Sequence, residues 1–331
     1  GAGPSGLATG YGLSNKGCKV QVFEAREVIG GLGGSEEVDG MVFDYGPHIY
    51  HTHDPVMIKF WREKFGDLLE EKEFFAKNYK DGVLFDYPLS HDSIEKFPKE
   101  IKEKVKKELK EINPENIMRA QNFKEVVTAI VGPTLQNIFF EGYSKKLWGI
   151  PTTEMSAKWA PKRIEIRRNH KSFWYNQFSA VGKFGSGAVM NRLASTIEDG
   201  GGKINTNHEV VDLQTEENKL TKIIFKNNES LDVRDSIVIS TLPITITSKL
   251  LGYESTLQFN SYILVYVVVN QDQVLQDEVQ SVYFAHDDSH FHRVTEQKKY
   301  SNTGFPEGVT LLCFEVSYRV RPHVLDMTEK E

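Results

Sequence analysis

The chain has 331 residues, enough for two domains that each bury a core. Its net charge of −6 provides no general basic field, which argues against a nucleic-acid partner. The two cysteines, Cys18 and Cys313, match no metal or redox spacing, which fits a reducing, cytoplasmic setting. The most apolar run, Ile263 to Val269, is too short to cross a bilayer, so no transmembrane segment is expected.

The first predicted element is a glycine fingerprint followed by a helix, a short strand and an acid. The spacing of a dinucleotide-binding turn is carried by Gly1, Gly3, Pro4, Ser5 and Gly6. A helix that starts there offers N–H groups and a partial positive charge to a pyrophosphate. Glu24 follows the strand and is placed to accept hydrogen bonds from ribose hydroxyls. Such a fingerprint should follow a buried strand, so we expect further residues before Gly1.

A glycine-dense loop, Ala25 to Ser35, comes next and contains Arg26, Gly30 and Gly31. Its glycines allow backbone to pack closely against a ligand, so we predict that it wraps the same cofactor, with a flexible turn as the alternative. Asp39-Gly40 then predicts a hairpin with a type I′ turn.

The segment from Tyr45 to His53 holds Gly46, Pro47, His48 and two further histidines. Three histidines at this spacing permit a metal site, but no cysteine or carboxylate cluster accompanies them. Gly-Pro favours a turn whose polar groups contact a ligand, so no metal is predicted.

From Asp54 to Trp148 the hydrophobic pattern becomes helical, with Phe85 to Pro88 as a short strand or turn. An aromatic cluster closes the region at Phe139 to Gly149 and is either core or a stacking platform for a planar ring. The basic and aromatic segment from Ala160 to Asn176 indicates local anion recognition, with plain surface charge as the alternative.

From Gly185 the α/β pattern returns, with a helix that stops at Gly200-Gly201-Gly202. Predicted strands follow at Lys203 to Thr206, Glu209 to Leu213, Leu220 to Lys226, Ser230 to Arg234 and Asp235 to Ser240. The dinucleotide domain is therefore split by the helical region. Residues 256–317 return to long strands, including Tyr262 to Asn270 and Val309 to Val316, and predict a separate mixed or antiparallel sheet.

Taken together, these segments resemble UDP-galactopyranose mutase and its flavoprotein relatives. The resemblance is carried by the fingerprint, the Gly30-Gly31 loop, Gly46 to Thr52, Tyr143 to Met155 and the strand Phe291-His292-Arg293. It runs through nearly the whole chain. The wider superfamily includes enzymes similar to amine oxidases and protoporphyrinogen oxidases.

The resemblance implies an α/β fold with FAD as cofactor. It implies a Rossmann-like FAD-binding domain of the glutathione-reductase type, with an inserted helical domain and a β-sheet substrate domain. We expect the FAD domain at 1–53 and 182–255, the helical domain at 54–150 and the sheet domain at 151–181 and 256–317. The stretch 318–331 is expected to begin a return to the FAD domain. FAD contacts are expected from the fingerprint residues, Glu24, Ala25, Arg26, Gly30, Gly31, Gly46, Pro47, His48, Val210 and Thr241.

The resemblance also implies a reaction. In that family reduced FAD attacks the anomeric carbon of a UDP-sugar, and the departing diphosphate needs fixed positive charge. Arginine suits this role because its fork binds phosphate oxygens at two points. Arg293 matches the fixed arginine and Arg167 the arginine of a loop, with Arg168 as the fallback. Tyr143, Trp148, Trp174 and Phe85 are expected to contact substrate, and His48 to position the flavin.

The sequence departs from the family pattern at its end. A second FAD segment normally follows the sheet domain, and the chain stops at Glu331, so we expect a longer protein. Two rival hypotheses stay open: a flavin oxidoreductase acting on an amine or porphyrinogen, and a binding protein without flavin, similar to GDP dissociation inhibitors. The source of reducing equivalents is left open, with NAD(P)H as a candidate, and a homo-oligomer is left open as well.

Overall fold

A computed structural model describes residues 1–160, 164–276, 278–286, 288–301 and 303–327. Its helices are α1 (Pro4–Ser14), α2 (Pro55–Phe65), α3 (His91–Glu95), α4 (Lys99–Glu111), α5 (Glu115–Arg119), α6 (Phe123–Val131), α7 (Pro133–Leu135), α8 (Gly142–Trp148), α9 (Ser186–Asp199) and α10 (Ile244–Leu250). Residues 161–163 of the basic segment and 328–331 of the final stretch lie outside the described residues.

The strands are short except in one sheet. They are β1 (Gln21–Phe23), β2 (Ser35–Val38), β3 (Met41–Asp44), β4 (Tyr50–Thr52), β5 (Leu69–Glu71), β6 (Phe75–Lys80), β7 (Val83–Tyr87), β8 (Phe178–Gly182), β9 (Lys203–Asn205), β10 (Val210–Glu216), β11 (Lys219–Phe225), β12 (Ser230–Asp232), β13 (Tyr262–Val269), β14 (Val279–Phe284), β15 (Arg293–Glu296) and β16 (Thr310–Ser317).

The chain forms two compact units. Unit 1 comprises Gly1–His48, Phe60–Glu70 and Val181–Phe259, and unit 2 comprises Ile49–Lys59, Glu71–Ala180 and Asn260–Glu331. The further division into FAD, helical and sheet domains stays a prediction.

Unit 1 is an α/β unit in which a parallel strand pair is covered by helices. β1 pairs in parallel with β9, so the chain must cross over between them. Gly10 lets α1 approach α9 closely, because a Cβ on Gly10 would lie 2.7 Å from Cδ1 of Ile197. β10, β11 and β12 form an antiparallel sheet beside this layer.

The hairpin predicted at Asp39-Gly40 is confirmed. β2 and β3 pair in antiparallel register across it, with Val38 opposite Met41. Asp39 and Gly40 have φ values of 52° and 78°, the two positive angles that a type I′ turn requires.

Unit 2 is built on a six-stranded mixed sheet. The strand order is β13-β16-β15-β14-β6-β7, and the pairs are antiparallel except for the parallel pair of β14 and β6. β4 and β8 pair separately within this unit, with His51 opposite Ser179. A mixed sheet was expected from the long apolar strands, and this expectation is confirmed.

The helices of unit 2 enclose an aromatic core. Phe85, Phe97 and Phe139 form its centre, and Val105 of α4 and Phe123 of α6 pack around them. Asn122 begins α6 as an N-cap, because its side chain accepts a hydrogen bond from the Glu125 N–H at 3.0 Å. A π-helical segment, Gln136–Glu141, leads into α8.

Most predicted strands are confirmed to within two residues, and two predictions need correction. Asp235 to Ser240 forms no strand in the described structure, and its Ile237 is 93% exposed. An apolar run becomes a strand only where another strand pairs with it. The region predicted to be helical also contains β6 and β7, joined by Asp81-Gly82, whose positive φ values repeat the hairpin signal of Asp39-Gly40.

No helix among the described residues is long and apolar enough to span a membrane.

Candidate functional site

The N-terminus of α1 has the features of an anion-binding site. Gly3 is its N-cap, Pro4 is its first residue, and no acidic side chain lies in its first turn. The earliest N–H groups of a helix lack partners within the helix and attract negative charge. A Cβ built on Gly6 would collide with the Gly1 carbonyl oxygen, so only glycine permits this close turn.

The Gly30-Gly31 loop lies against this turn backbone to backbone. The Gly30 N–H donates to the Ala2 carbonyl at 2.8 Å. Gly30 and Gly31 have φ values of 102° and 54°, and a Cβ on Gly31 would lie 2.9 Å from the Gly3 Cα. We call Gly1, Gly3, Gly6, Gly30 and Gly31 the glycine cradle. Because these residues have no side chains, backbone peptide groups form the surface of the cradle at the start of α1.

Glu24 joins the two parts of this site. Its carboxylate accepts a hydrogen bond from the Ala2 N–H at 2.7 Å and another from the Arg26 N–H at 3.0 Å, and the residue is 8% exposed. Each carboxylate oxygen keeps a further lone pair, so Glu24 retains acceptor capacity for hydroxyl groups. Arg26 donates through Nη2 to the Gly31 carbonyl at 3.2 Å, and Ala25 beside it is exposed.

The remaining predicted cofactor residues also fall in unit 1. Gly46 has a φ of 80° and precedes Pro47 and His48. Nε2 of His48 is buried without a hydrogen-bond partner among the described residues, which points to a polar group outside this chain. Thr241 donates through Oγ1 to the Gly1 carbonyl at 3.3 Å, whereas Val210 packs against the small core of Ile223, Phe225 and Val233.

These residues fit the expected FAD. The glycine cradle and the start of α1 suit a diphosphate, Glu24 suits a ribose, and His48 has an unused ring nitrogen. Val210 is the weakest member of the set, because its side chain belongs to a core. The group of His48, His51 and His53 forms no metal cluster in the described residues.

In unit 2, Arg293 is held rigidly by a carboxylate. Arg293 of β15 and Glu315 of β16 are directly opposite in the strand register. Nε and Nη2 of Arg293 each donate to one oxygen of Glu315, both at 2.7 Å. Burial disfavours the guanidinium charge, but Glu315 and the neighbouring tyrosines outweigh it, so the pKa of Arg293 is raised above its ordinary value.

One tyrosine lies next to Arg293, and two further tyrosines contact that ring. The guanidinium carbon is 6.0 Å from the ring centre of Tyr283, whose ring is 5.0 Å from Tyr143 and 5.9 Å from Tyr87. Burial, and then the neighbouring Tyr283, raises the pKa of both Tyr143 and Tyr87. Both phenols therefore stay protonated at neutral pH and remain hydrogen-bond donors.

Arg167 is engaged with its own segment. Its Nη1 donates to the carbonyls of Lys171 and Ser172 at 3.3 Å and 2.6 Å, and its Nη2 donates to that of Phe173 at 2.9 Å. Nε forms an ion pair with Glu165 at 2.7 Å. The charge of Arg167 opposes part of the rise that burial causes in the pKa of Tyr87. Arg168 is exposed.

The predicted aromatic contacts divide into two classes. Trp148 ends α8 and is 41% exposed, and Trp174 stacks on His51 with ring centres 4.5 Å apart. Phe85 is 2% exposed and packs edge-on against Phe97 in the core. This corrects the expectation that Phe85 contacts substrate, since its ring stabilises the fold.

Sequence reasoning missed that Glu315 and Tyr283 lie beside Arg293. Glu315 had a readable signal, because it is a single carboxylate inside the apolar run from Leu311 to Val316. Such a residue needs a buried partner. Burial, and then the charges of Arg293 and Lys146, lowers the pKa of His292 to about 3, so this histidine is neutral at pH 7.

Comparison with known proteins identifies relatives of two kinds. The model of the family "Flavin containing amine oxidoreductase" matches residues 4–270. A probable UDP-galactopyranose mutase from Klebsiella pneumoniae is 26% identical over 200 residues, 59% of this chain and 51% of that protein. A dTDP-fucopyranose mutase from Escherichia coli is 28% identical over 199 residues, 58% of this chain and 52% of that protein. The chain spans about half the length of these curated relatives.

Solved structures share the fold. A crystal structure of reduced UDP-galactopyranose mutase matches with a TM-score of 0.78 at 20% identity, covering 96% of this chain and 72% of that chain. A putative protoporphyrinogen oxidase from Exiguobacterium sp. 255-15 matches with a TM-score of 0.73 at 17% identity, covering 100% and 78%. The fold is therefore the α/β fold of FAD-dependent mutases and oxidases, as expected.

The family model extends from the first helix to the strand β13, and Gly6, Gly30 and Gly31 of the glycine cradle lie within it, as do Glu24 and His48. The chain therefore belongs to the family of flavin containing amine oxidoreductases, and its cofactor is FAD.

Proposed function

We propose that this protein is an FAD-dependent nucleotide-sugar mutase that interconverts UDP-galactopyranose and UDP-galactofuranose. The observation that carries the proposal is Arg293, fixed by Glu315 beside Tyr143 and Tyr283, in a chain whose curated relatives include two nucleotide-sugar mutases. Reduced FAD, when bound, supplies the nucleophile for the anomeric carbon of the sugar.

The arginines stabilise the diphosphate as it departs. Two N–H groups of Arg293 face Glu315, which leaves the other three for phosphate oxygens. Arg167 adds a second positive charge after exchanging its carbonyl partners for phosphate, and Arg168 is the fallback for this role. Fixed charges of this kind act where negative charge develops.

The aromatic residues orient the nucleotide. Tyr143 and Tyr87 donate hydrogen bonds through hydroxyl groups that stay neutral because their pKa values are raised. Trp148 offers an exposed indole face for stacking with the base. Trp174 is held by His51 and contributes a second aromatic surface.

Unit 1 holds the cofactor in this proposal. The glycine cradle and the first turn of α1 bind the diphosphate of FAD, and Glu24 accepts hydrogen bonds from its ribose. His48 positions the flavin through its unpartnered Nε2. The reducing equivalents come from NAD(P)H.

Two other functions remain as alternatives. A flavin-dependent oxidation of an amine or porphyrinogen is favoured by the family description and by the likeness to the putative protoporphyrinogen oxidase. The buried arginine and carboxylate pair argues against it, because an oxidase of this kind needs an apolar cage for its substrate. A binding protein similar to GDP dissociation inhibitors needs no flavin, so the FAD of this family argues against that alternative.

A direct assay separates these functions. The full-length, FAD-loaded protein is reduced with dithionite and incubated with UDP-galactofuranose, and formation of UDP-galactopyranose is followed by chromatography. We expect turnover with the reduced protein and none with the oxidised protein. A parallel reaction with dTDP-fucose tests the second nucleotide sugar. Oxygen consumption with amines, without any sugar isomerisation, would replace the proposal by the oxidase.

A further inference from the structure

Glu315 and Arg293 form a bidentate ion pair in the sheet of unit 2. They face each other across β15 and β16, so their Cβ atoms project on the same side of the sheet. Both oxygens of Glu315 accept from Arg293, each at 2.7 Å, in the parallel two-bond arrangement that fixes a guanidinium plane. The side chain of Glu315 is 6% exposed, so water does not compete for these bonds.

The contact determines where the rest of the guanidinium points. Of the five N–H groups of an arginine, Nε and one of Nη2 are directed at Glu315. The remaining three lie along the opposite edge of the same rigid plane. The guanidinium carbon lies over the ring of Tyr283, 6.0 Å from its centre.

The negative charge of Glu315 acts on Arg293, because its neighbour His292 does not compensate it. His292 is next to Arg293 in sequence, and its Nε2 lies 3.7 Å from Glu315. Because its pKa is lowered to about 3 by burial and by two nearby cations, His292 is neutral at pH 7 and does not neutralise the carboxylate. Tyr143 carries no charge either, because burial raises the pKa of its hydroxyl group.

Stability alone is a weak explanation for this pair. Replacing a buried ion pair with apolar residues of similar volume is often neutral or stabilising, because both charges must be removed from water. A rigid arginine matters more for binding a ligand of fixed geometry than for stability. A displacement of about 1 Å costs up to a hundredfold in rate.

We propose that Glu315 is a positioning residue that aims the outer edge of Arg293 at the diphosphate of the nucleotide-sugar substrate. This inference rests on the proposed function. Glu315 itself does not contact the substrate. It acts through the orientation of the guanidinium, which is why the two bonds, and not the charge alone, are decisive.

The substitution Glu315→Asp separates orientation from charge. Aspartate keeps the carboxylate but is shorter by one methylene, so it does not reach both Nε and Nη2 without movement of a strand. The matched control is Glu296→Asp in the same strand pair. Glu296 is fully buried, and its carboxylate accepts from the Val274 and Leu275 N–H groups at 2.8 Å. It therefore reports the general cost of shortening a buried carboxylate in this sheet.

The measurement compares UDP with uridine. Full-length, FAD-loaded protein is titrated with each compound by fluorescence, because uridine keeps the base and ribose but lacks the diphosphate. We expect Glu315→Asp to weaken UDP binding by about tenfold and to change uridine binding by less than about twofold. For Glu296→Asp we expect the ratio of the two dissociation constants to equal that of the unmodified protein.

The outcomes distinguish the two proposals. Unmodified protein that binds neither UDP nor dTDP would overturn the nucleotide-sugar function and, with it, this inference. Unmodified protein that binds UDP, together with unchanged UDP affinity in Glu315→Asp, would overturn only the role of Glu315. Equal weakening of UDP and uridine would also overturn it, because general damage to the sheet affects both compounds.

Discussion

At the scale of single residues, the two arginines predicted from sequence differ in how far they are prepared for a ligand. Arg293 has one edge fixed by Glu315 and the other edge available. Arg167 already donates to three backbone carbonyls and to Glu165. A diphosphate that binds Arg167 must replace existing hydrogen bonds, so the net gain is the difference between two sets of bonds.

This difference predicts unequal effects of alanine substitution. Arg293→Ala should weaken UDP binding by about a hundredfold, because hydrogen bonds to a charged group contribute about 1.5–3 kcal/mol. Arg167→Ala should weaken UDP binding by about tenfold or less. In the unmodified protein UDP has to replace the internal hydrogen bonds of Arg167, so the net contribution of this arginine to binding is smaller. Titration of both variants with UDP checks this, and an equal or larger loss for Arg167→Ala would contradict it.

His292 provides a pH-dependent contribution to stability. Its pKa is about 3 in the folded protein and about 6.5 in the unfolded chain, so between these values the unfolded state binds more protons. Stability from this residue is complete above pH 6.5 and is lost as pH falls toward 3. His292→Gln should therefore flatten the pH dependence of the free energy of unfolding by up to about 1.4 kcal/mol per pH unit in that window. Urea unfolding from pH 4 to 7 measures the slope, and parallel curves for both proteins would contradict the assignment.

At the scale of elements, local signals in the sequence predicted those parts whose conformation is determined locally. The glycine spacing before α1 and the Asp39-Gly40 turn were readable because a positive φ or a close approach allows few residue types. The apolar run Asp235 to Ser240 was misread as a strand, because strand formation depends on a partner that the run itself does not specify. The contact of Glu315 with Arg293 is also nonlocal, since strand register decides which side chains meet.

The first turn of α1 permits a controlled test. A Cβ on Gly6 would overlap the Gly1 carbonyl, whereas Gly12 in the same helix has no atom within 4 Å of such a Cβ. Gly6→Ala should therefore abolish flavin binding, while Gly12→Ala should retain it and stabilise the protein by up to about 1 kcal/mol through better helix propensity. Flavin absorbance after purification and thermal unfolding measure the two effects. Yellow, FAD-loaded Gly6→Ala protein would show that the turn adapts.

At the scale of the whole molecule, the predicted chemistry is divided between the two compact units. The expected FAD contacts, from Gly1 to Thr241, belong to unit 1, and the arginines and tyrosines expected to bind substrate belong to unit 2. The fold and the cofactor were predictable from sequence. The meeting of Tyr143 and Tyr283 beside Arg293 was not, because these residues come from α8, β14 and β15, which are not contiguous in the chain.

The division predicts that cofactor binding and substrate binding are separable. Arg293→Ala should purify with the same flavin content as the unmodified protein and lose isomerisation of the UDP-sugar. Absorbance at the flavin band and the sugar assay, performed on one preparation, measure both properties. Loss of flavin from Arg293→Ala would mean that unit 2 contributes to holding the cofactor.

The glycine cradle has a consequence for how such a protein can be altered. Gly3 and Gly31 meet without side chains, and Gly6 has no room for a methyl group, so the cofactor contact proposed there is made by peptide groups. At Gly6 and Gly31 no gradual substitution is open, because the first added carbon would overlap the Gly1 carbonyl oxygen or lie 2.9 Å from the Gly3 Cα. Directed evolution of the cofactor site would therefore have to act on positions other than these two.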